Sequence, residues 1–255
     1  MEATISMNGM RFSFVNEKEF FSLYDEIFNA ENYKFSASTS SPFILDCGAN
    51  IGISVLYFKS QYPNAKIVAF EPHPDTFRML TTNVRQNHLK DVTLVNAALS
   101  ANYGEMDFYV SRDTVSPTNA FCTGIQGSWY GQGEYQTIKV PTVRLSSYIT
   151  RNVDLLKVDI EGMEEVVLMD IEGQLSAIEA IRMEYHHISG RRVNDLDVIL
   201  ALLKDGGFDY VLEHDNKVIN LSQVYQIDTS APFLLMITAQ RKEDTTPSVE
   251  QSLIM

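Results

Sequence analysis

Only two of the 255 residues are cysteine, Cys47 and Cys122. Two thiols cannot build a disulfide framework or a thiolate zinc cluster, so the chain reads as a reduced cytoplasmic protein. Basic residues are also scarce. Twenty Lys and Arg against 33 Asp and Glu leave a formal net charge of −13. A nucleic-acid binder needs a basic footprint for phosphate, and a peripheral protein needs one for anionic lipid. Neither partner is expected. Long apolar runs are missing too: Phe233 to Ile237 falls far short of the roughly 20 residues that span a bilayer. The first ten residues carry no Lys or Arg and do not read as a signal peptide.

What is present is 45% apolar sequence, enough to bury one full core. Residues 1–42 read as an N-terminal helical appendage and linker. Its helix covers Glu17 to Phe28, and its linker is the serine-rich Ser36 to Pro42. Residues 43–241 read as the main domain, with an insertion at 100–150, and 242–255 as a frayed tail. Within the domain, short apolar runs alternate with helical segments. Phe43-Ile44-Leu45, Lys66 to Phe70, Val92 to Val95, Asp154 to Ile160 and Ile178 to Tyr185 are the expected strands. Such alternation predicts an α/β fold whose parallel sheet is covered on both faces. Phe208 to Leu212 and Phe233 to Thr238 are expected as antiparallel edge strands. The insertion holds Trp129, Tyr130, Phe121 and Tyr135, which could form an aromatic lid or anchor the loop.

The most informative segment is the turn Asp46-Cys47-Gly48-Ala49-Asn50-Ile51-Gly52, between a buried strand and a helix. Glycines allow close backbone approach, and a helix start presents free N–H groups. The dinucleotide fingerprint would need glycine where Asn50 stands, which disfavours a nicotinamide oxidoreductase. Asp46 would repel pyrophosphate and suits an amino-bearing or cationic cofactor. Glu71, ending the second strand in Phe70-Glu71-Pro72, stands where an acid accepts hydrogen bonds from ribose hydroxyls. Cys47 reads as a small core residue.

Four ordered segments resemble the FkbM family of S-adenosylmethionine-dependent methyltransferases. They are Leu45 to Gly52, Ala69 to Pro74, Val95 to Ser100 and Leu155 to Glu164; Ile27 to Tyr33 and Val143 to Ile149 are weaker matches. The family usually has Asp near Ser146. The resemblance implies a Rossmann-like class I methyltransferase fold, a seven-stranded, mostly parallel sheet with helices on both faces and an antiparallel last strand. It implies S-adenosylmethionine as cofactor, with Asp46, Gly48, Asn50 and Gly52 around its methionine part. It places Glu71 on the ribose, Asn96 and Ala97 near the adenine, and Tyr33 over the cofactor carboxylate.

Lys157, Asp159 and Glu161 alternate along the fourth strand and share a face. The fifth strand ends in Glu184-Tyr185-His186-His187, with Glu184 and His186 on one face. His suits proton abstraction near neutral pH. His186 is therefore the expected base, with Asp159 second and Glu161 beside them. A divalent metal on Asp159, Glu161, Glu184 and a His is the less favoured alternative. The expected reaction is O-methylation of a small-molecule metabolite, such as a sugar, polyketide or peptide-like product. The alternatives are cyclisation of the cofactor's aminobutyrate chain releasing methylthioadenosine, or a non-catalytic binder. A homodimer is left open.

Overall fold

The computed structural model describes residues 2–111, 120–121, 135–189 and 194–242. The chain opens on a hairpin of β1 (Ala3–Met7) and β2 (Met10–Phe14). Its turn is Asn8-Gly9, with φ of 51° and 75°, as a type I′ turn requires. The sequence reading places only a helix in this region, so the hairpin is an addition. Next, α1 (Glu17–Tyr24), capped by Asn16, runs into a π turn over Asp25–Asn29. The single helix expected to Phe28 therefore changes pitch at Asp25.

The main domain begins with β3 (Phe43–Cys47), α2 (Ile53–Gln61), β4 (Lys66–Phe70), α3 (Pro74–Gln86) and β5 (Val92–Val95). The insertion forms its own sheet from β6 (Ala98–Leu99), β7 (Gly104–Ser111), β8 (Ala120–Phe121) and β9 (Tyr135–Val143), in the order β6-β9-β7-β8. The main sheet resumes with β10 (Leu155–Val158), α4 (Glu164–Asp170), β11 (Ala180–His187) and α5 (Leu196–Asp205). It closes with β12 (Phe208–His214), β13 (Lys217–Ile219), α6 (Leu221–Val224) and β14 (Phe233–Arg241).

The sheet order is β13-β12-β14-β11-β10-β3-β4-β5. The five strands from β11 to β5 are parallel, and β14 is antiparallel to both neighbours. This is the class I methyltransferase arrangement, with two corrections to the expectation. The sheet has eight strands rather than seven, because β12 returns as β13 through Asp215-Asn216, at φ 50° and 59°. And β14 is an interior strand between β11 and β12, not an edge.

Alternation along the buried strands sends neighbours to opposite faces. Ile44, Leu155 and Ala180 join α1, α2 and α3 in one core; Leu45, Leu156 and Ile181 join α4 and α5 in the other. No helix among the described residues is long and apolar enough to cross a membrane. The aromatic-lid reading falls on Trp129, Tyr130 and the side chains of Phe121 and Tyr135, outside what is described. Cys122 and the tail from 243 onward lie outside it as well.

Candidate active site

The site is built where β3, β4, β10 and β11 end, because the chain turns there and leaves backbone and carboxylates pointing off the sheet. Gly48, Asn50 and Gly52 hold φ of 85°, 49° and 92°. A Cβ on Gly48 would lie 1.8 Å from the carbonyl oxygen of Asp159. A Cβ on Gly52 would meet Leu80 Cδ1 at 2.6 Å, so this glycine serves the packing of α2 on α3. Beneath the turn Asp46 is completely buried. Its Oδ2 accepts a 2.6 Å bond from Ser54 Oγ.

Lys157 is the buried cation that joins the two turns. Its Nζ donates to the Gly48 carbonyl at 2.7 Å and lies 3.3 Å from Asp46 Oδ1 and 3.4 Å from Asp159 Oδ2. It also sits 5.0 Å from the centre of the Tyr33 ring, a cation–π distance. Burial alone would lower its pKa, but Asp46, Asp159 and Glu184 outweigh burial and hold the ammonium above its ordinary value.

Glu71 is pinned by the backbone of the turns on either side. Oε2 accepts from Asn50 N at 3.1 Å and Oε1 from His73 N at 2.8 Å. Burial pushes its carboxyl up to about 7, although these two bonds oppose the rise. Asn96 secures the same segment, its amide donating to the carbonyls of Glu71 and Pro72 at 2.8 and 3.0 Å.

On the other side of the cleft, β10 stops at Val158 and turns through Glu161 (φ 56°) and Gly162 (φ 98°). Glu164, fully buried, takes N–H bonds from Gly162 and Ile160 on Oε1 and also receives His186 Nδ1–H there at 2.8 Å. Its other oxygen accepts from Asn194 Nδ2. His186 Nε2 points to Glu161 Oε2 at 3.3 Å and lies 4.0 Å from Asp159 Oδ1. Burial would lower the His186 pKa, but Glu161, Glu164 and Asp159 raise it well above its ordinary value. Both ring nitrogens thus face carboxylates, which favours the imidazolium form.

The acids around it behave oppositely to a solvated carboxylate. Burial and the Asp159 charge push Glu161 up to about 7 and Glu184 up to about 8, with His186 opposing both. Tyr33, from the N-terminal segment, donates its hydroxyl to Glu184 Oε1 at 2.6 Å and lies 3.2 Å from Asp159 Oδ2. Burial, then Asp159 and Glu184, raise its phenol pKa. Between the two halves runs a narrow cleft. Gly48, Glu71, Asp159 and Glu161 give it a polar side; Ala97, Leu99 and Phe108 give it an apolar one.

The profile of the Methyltransferase FkbM domain matches residues 46–210 of this chain. The chain belongs to the FkbM methyltransferase family. Methyltransferase sdnD of Sordaria araneosa is 32% identical over 214 residues, covering 73% of this chain and 81% of the relative. The 31-O-demethyl-FK506 methyltransferase FkbM of Streptomyces tacrolimicus is 28% identical over 235 residues, covering 82% and 89%. A solved structure, methyltransferase FkbM from Methylobacillus flagellatus KT, shares the fold at a TM-score of 0.50 and 17% identity. The match covers 82% of this chain and 46% of that one. This FkbM methyltransferase is accordingly an S-adenosylmethionine-dependent enzyme.

Within this FkbM methyltransferase, Gly48, Glu71, Ala97, Asp159 and Glu161 line the cleft directly. Asp46, Asn50, Gly52 and Asn96 are spent on holding the turns. Tyr33 reaches the Asp159–Glu184 carboxylates. His187 falls on the opposite face of β11, stacked on Phe233 at 4.6 Å. Glu164 and Asn194 carry no role in the sequence reading, yet they orient His186. Asn194 follows a stretch with no periodicity, so nothing local marks it. Asp159, Glu184 and His186 bring ligand atoms within 4.8 Å of one another, the geometry behind the metal alternative. Lys157 and the imidazolium already set positive charge against those carboxylates.

Proposed function

We propose that this enzyme methylates a hydroxyl of a small-molecule metabolite, with S-adenosylmethionine held in the cleft between Glu71 and Glu161. The cleft is the observation that carries this reading. Its polar side offers carboxylates to ribose hydroxyls and an ammonium, and its apolar side suits a purine. The relative named for a 31-O-demethylated substrate supports oxygen as the acceptor atom.

In this reading Glu71 holds the ribose, and Asp46, Asn50, Gly52 and Asn96 fix the turns that present Gly48 and Glu71. Ala97 and Leu99 pack against the adenine. Bound S-adenosylmethionine supplies an electrophilic methyl on a sulfonium. Asp159 and Glu161, which line the cleft, would hold the acceptor hydroxyl beside the bound cofactor, and one of them would take its proton. Glu161, near 7, is the better matched proton acceptor. His186 departs from the base role expected of it: as an imidazolium between Glu164 and Glu161 it fixes Glu161. Lys157 and His186 supply the local positive charge that a metal would otherwise bring.

Incubation with labelled cofactor and a panel of hydroxylated polyketides and sugars tests the reaction. S-adenosylhomocysteine is the expected product; methylthioadenosine would indicate attack on the aminobutyrate chain instead. With an active acceptor, Glu161→Gln is expected to lower kcat on the order of a hundredfold while cofactor affinity stays within about threefold. An unchanged kcat would remove the proton-acceptor assignment.

Cofactor affinity itself is expected to depend on pH. Glu71, Glu161 and Glu184 have pKa values of about 7, 7 and 8 in the ligand-free protein. The cofactor's sulfonium and ammonium, only partly offset by its carboxylate, favour their ionised forms, so binding expels protons and tightens as pH rises from 6 to 8. The expected gain is on the order of tenfold. S-adenosylhomocysteine lacks the sulfonium charge, so its slope should be shallower. Calorimetry in two buffers of different ionisation enthalpy reads the proton release; a pH-independent affinity for both ligands would contradict it.

A further inference from the structure

A second opening lies beside the cleft, where β11, β14 and β12 run side by side. Arg182 and Glu184 of β11, Leu234, Met236 and Thr238 of β14 and Glu213 of β12 share that face by strand alternation and register. The N-terminal segment around Glu26 to Lys34 forms one wall, and the Asp215-Asn216 turn forms the other. The groove holds about 640 Å³, within the range of pockets for small organic ligands.

Resting on the functional reading above, we infer that this groove seats the methyl acceptor, and that the acceptor is an uncharged or amine-bearing polyhydroxylated ring.

Three observations converge on this. The first is continuity with the chemistry. Glu184 lines the groove and Asp159 lines the cofactor cleft, and the Tyr33 hydroxyl lies within hydrogen-bond range of both. Ligand atoms of Glu184 and Asp159 lie within 4.8 Å of each other. A hydroxyl bound against Glu184 therefore lies within a side chain's reach of the carboxylate that faces the cofactor cleft.

The second is charge. Glu26, Glu31, Glu184, Glu213 and Asp215 share the groove with Lys34, Arg182 and His214, the last beside Asp215. Neither Lys34 nor Arg182 is at large: the first pairs with Glu31 at 2.6 Å, and the second donates to the carbonyls of Lys34 and Ile181. A carboxylated or phosphorylated acceptor would meet repulsion, whereas hydroxyls and an ammonium would find acceptors. The third is the floor. Leu234 and Met236 give an apolar surface below the acidic rim, which suits a ring with an apolar face and polar edges.

Methionine-methyl NMR separates this inference from the one it rests on, because Met163 lines the cleft and Met236 lines the groove. Resonances are assigned with Met163→Leu and Met236→Leu. S-adenosylhomocysteine should shift Met163. With it saturating, glucosamine, glucose and glucuronate are titrated in turn. The Met236 signal should shift saturably with glucosamine, less with glucose and not with glucuronate. Glu213→Lys should weaken glucosamine at least fivefold and admit glucuronate, with Met163 still responding to S-adenosylhomocysteine. Silence of Met236 toward all three sugars, equal responses, or a preference for glucuronate would overturn the inference while leaving the cofactor reading intact. Silence of Met163 toward S-adenosylhomocysteine would instead remove the reading beneath it.

Discussion

Gly48→Ala is expected to weaken S-adenosylmethionine binding by more than a hundredfold. The added Cβ would lie 1.8 Å from the Asp159 carbonyl oxygen and 2.9 Å from its carbonyl carbon. Both are backbone atoms, so no side chain can swing aside. The neighbouring strands are also tied together there, with Asp159 N donating to Cys47 O at 3.0 Å and Lys157 Nζ to Gly48 O. Relief requires β3 and β10 to part at the point where both feed the cleft. The residue also sits at φ 85°, which costs an L-residue about 1–2 kcal/mol. Gly9→Ala is the control: its φ of 75° is similar, but nothing lies within 4 Å of the new Cβ. That variant should lose a few degrees of Tm and bind cofactor normally. Calorimetry and thermal melts on both variants read the comparison. Equal cofactor affinities in the two would show that Gly48 answers only to backbone strain.

The sequence announces the cleft better than it announces the network behind it. The first βα turn is legible because its requirements are local: left-handed φ calls for Gly or Asn, and a buried strand ending in Asp is conspicuous in one dimension. Glu71 is legible for the same reason, at a strand end closed by proline. The hairpin at Asn8-Gly9 has an equally local signal, two residues between alternating apolar positions, which the stronger apolar periodicity of the adjacent helix masks. His186 is different. Its position was visible, but its protonation state depends on Glu161 and Glu164, 25 and 22 residues upstream. No spacing rule encodes that pairing; only the crossover from β10 to β11 creates it. The same holds for Tyr33, whose hydroxyl meets Glu184 across 151 residues. The extra strand is the short β13, and the interior place of β14 is topological. The Asp215-Asn216 turn marks a hairpin, but nothing local says that β14 returns between β11 and β12.

Lys157→Met is expected to cost about 3–5 kcal/mol, as breaking a buried ion pair by removing one partner does. The Lys157 side chain is 2% exposed and the Asp46 side chain 0%, so water cannot replace the ammonium. For a domain of this size the loss corresponds to a fall of roughly 10 °C in Tm. The shape of the loss matters more than its size. Without the ammonium, Asp46 and Asp159 lose their common counter-charge, and the carboxyls of Glu71 and Glu161, which Lys157 holds down against burial, rise further. A group whose folded pKa is raised lends its stability below the unfolded value and withdraws it as pH climbs through the folded one. The gap between wild type and variant should therefore be narrow near pH 5 and widest near pH 8. Glu71 and Glu161 feel the Lys157 charge directly, so their raised pKa values do not cancel between the two proteins and open the gap in the same direction. Methionine retains most of the aliphatic volume, so packing loss alone would give a gap of the same size at both pH values. Urea denaturation at pH 5, 6.5 and 8 distinguishes the two. A constant gap would make Lys157 a filler of space; a gap that opens with pH would make it the counter-charge that lets two carboxylates stand under a cofactor turn.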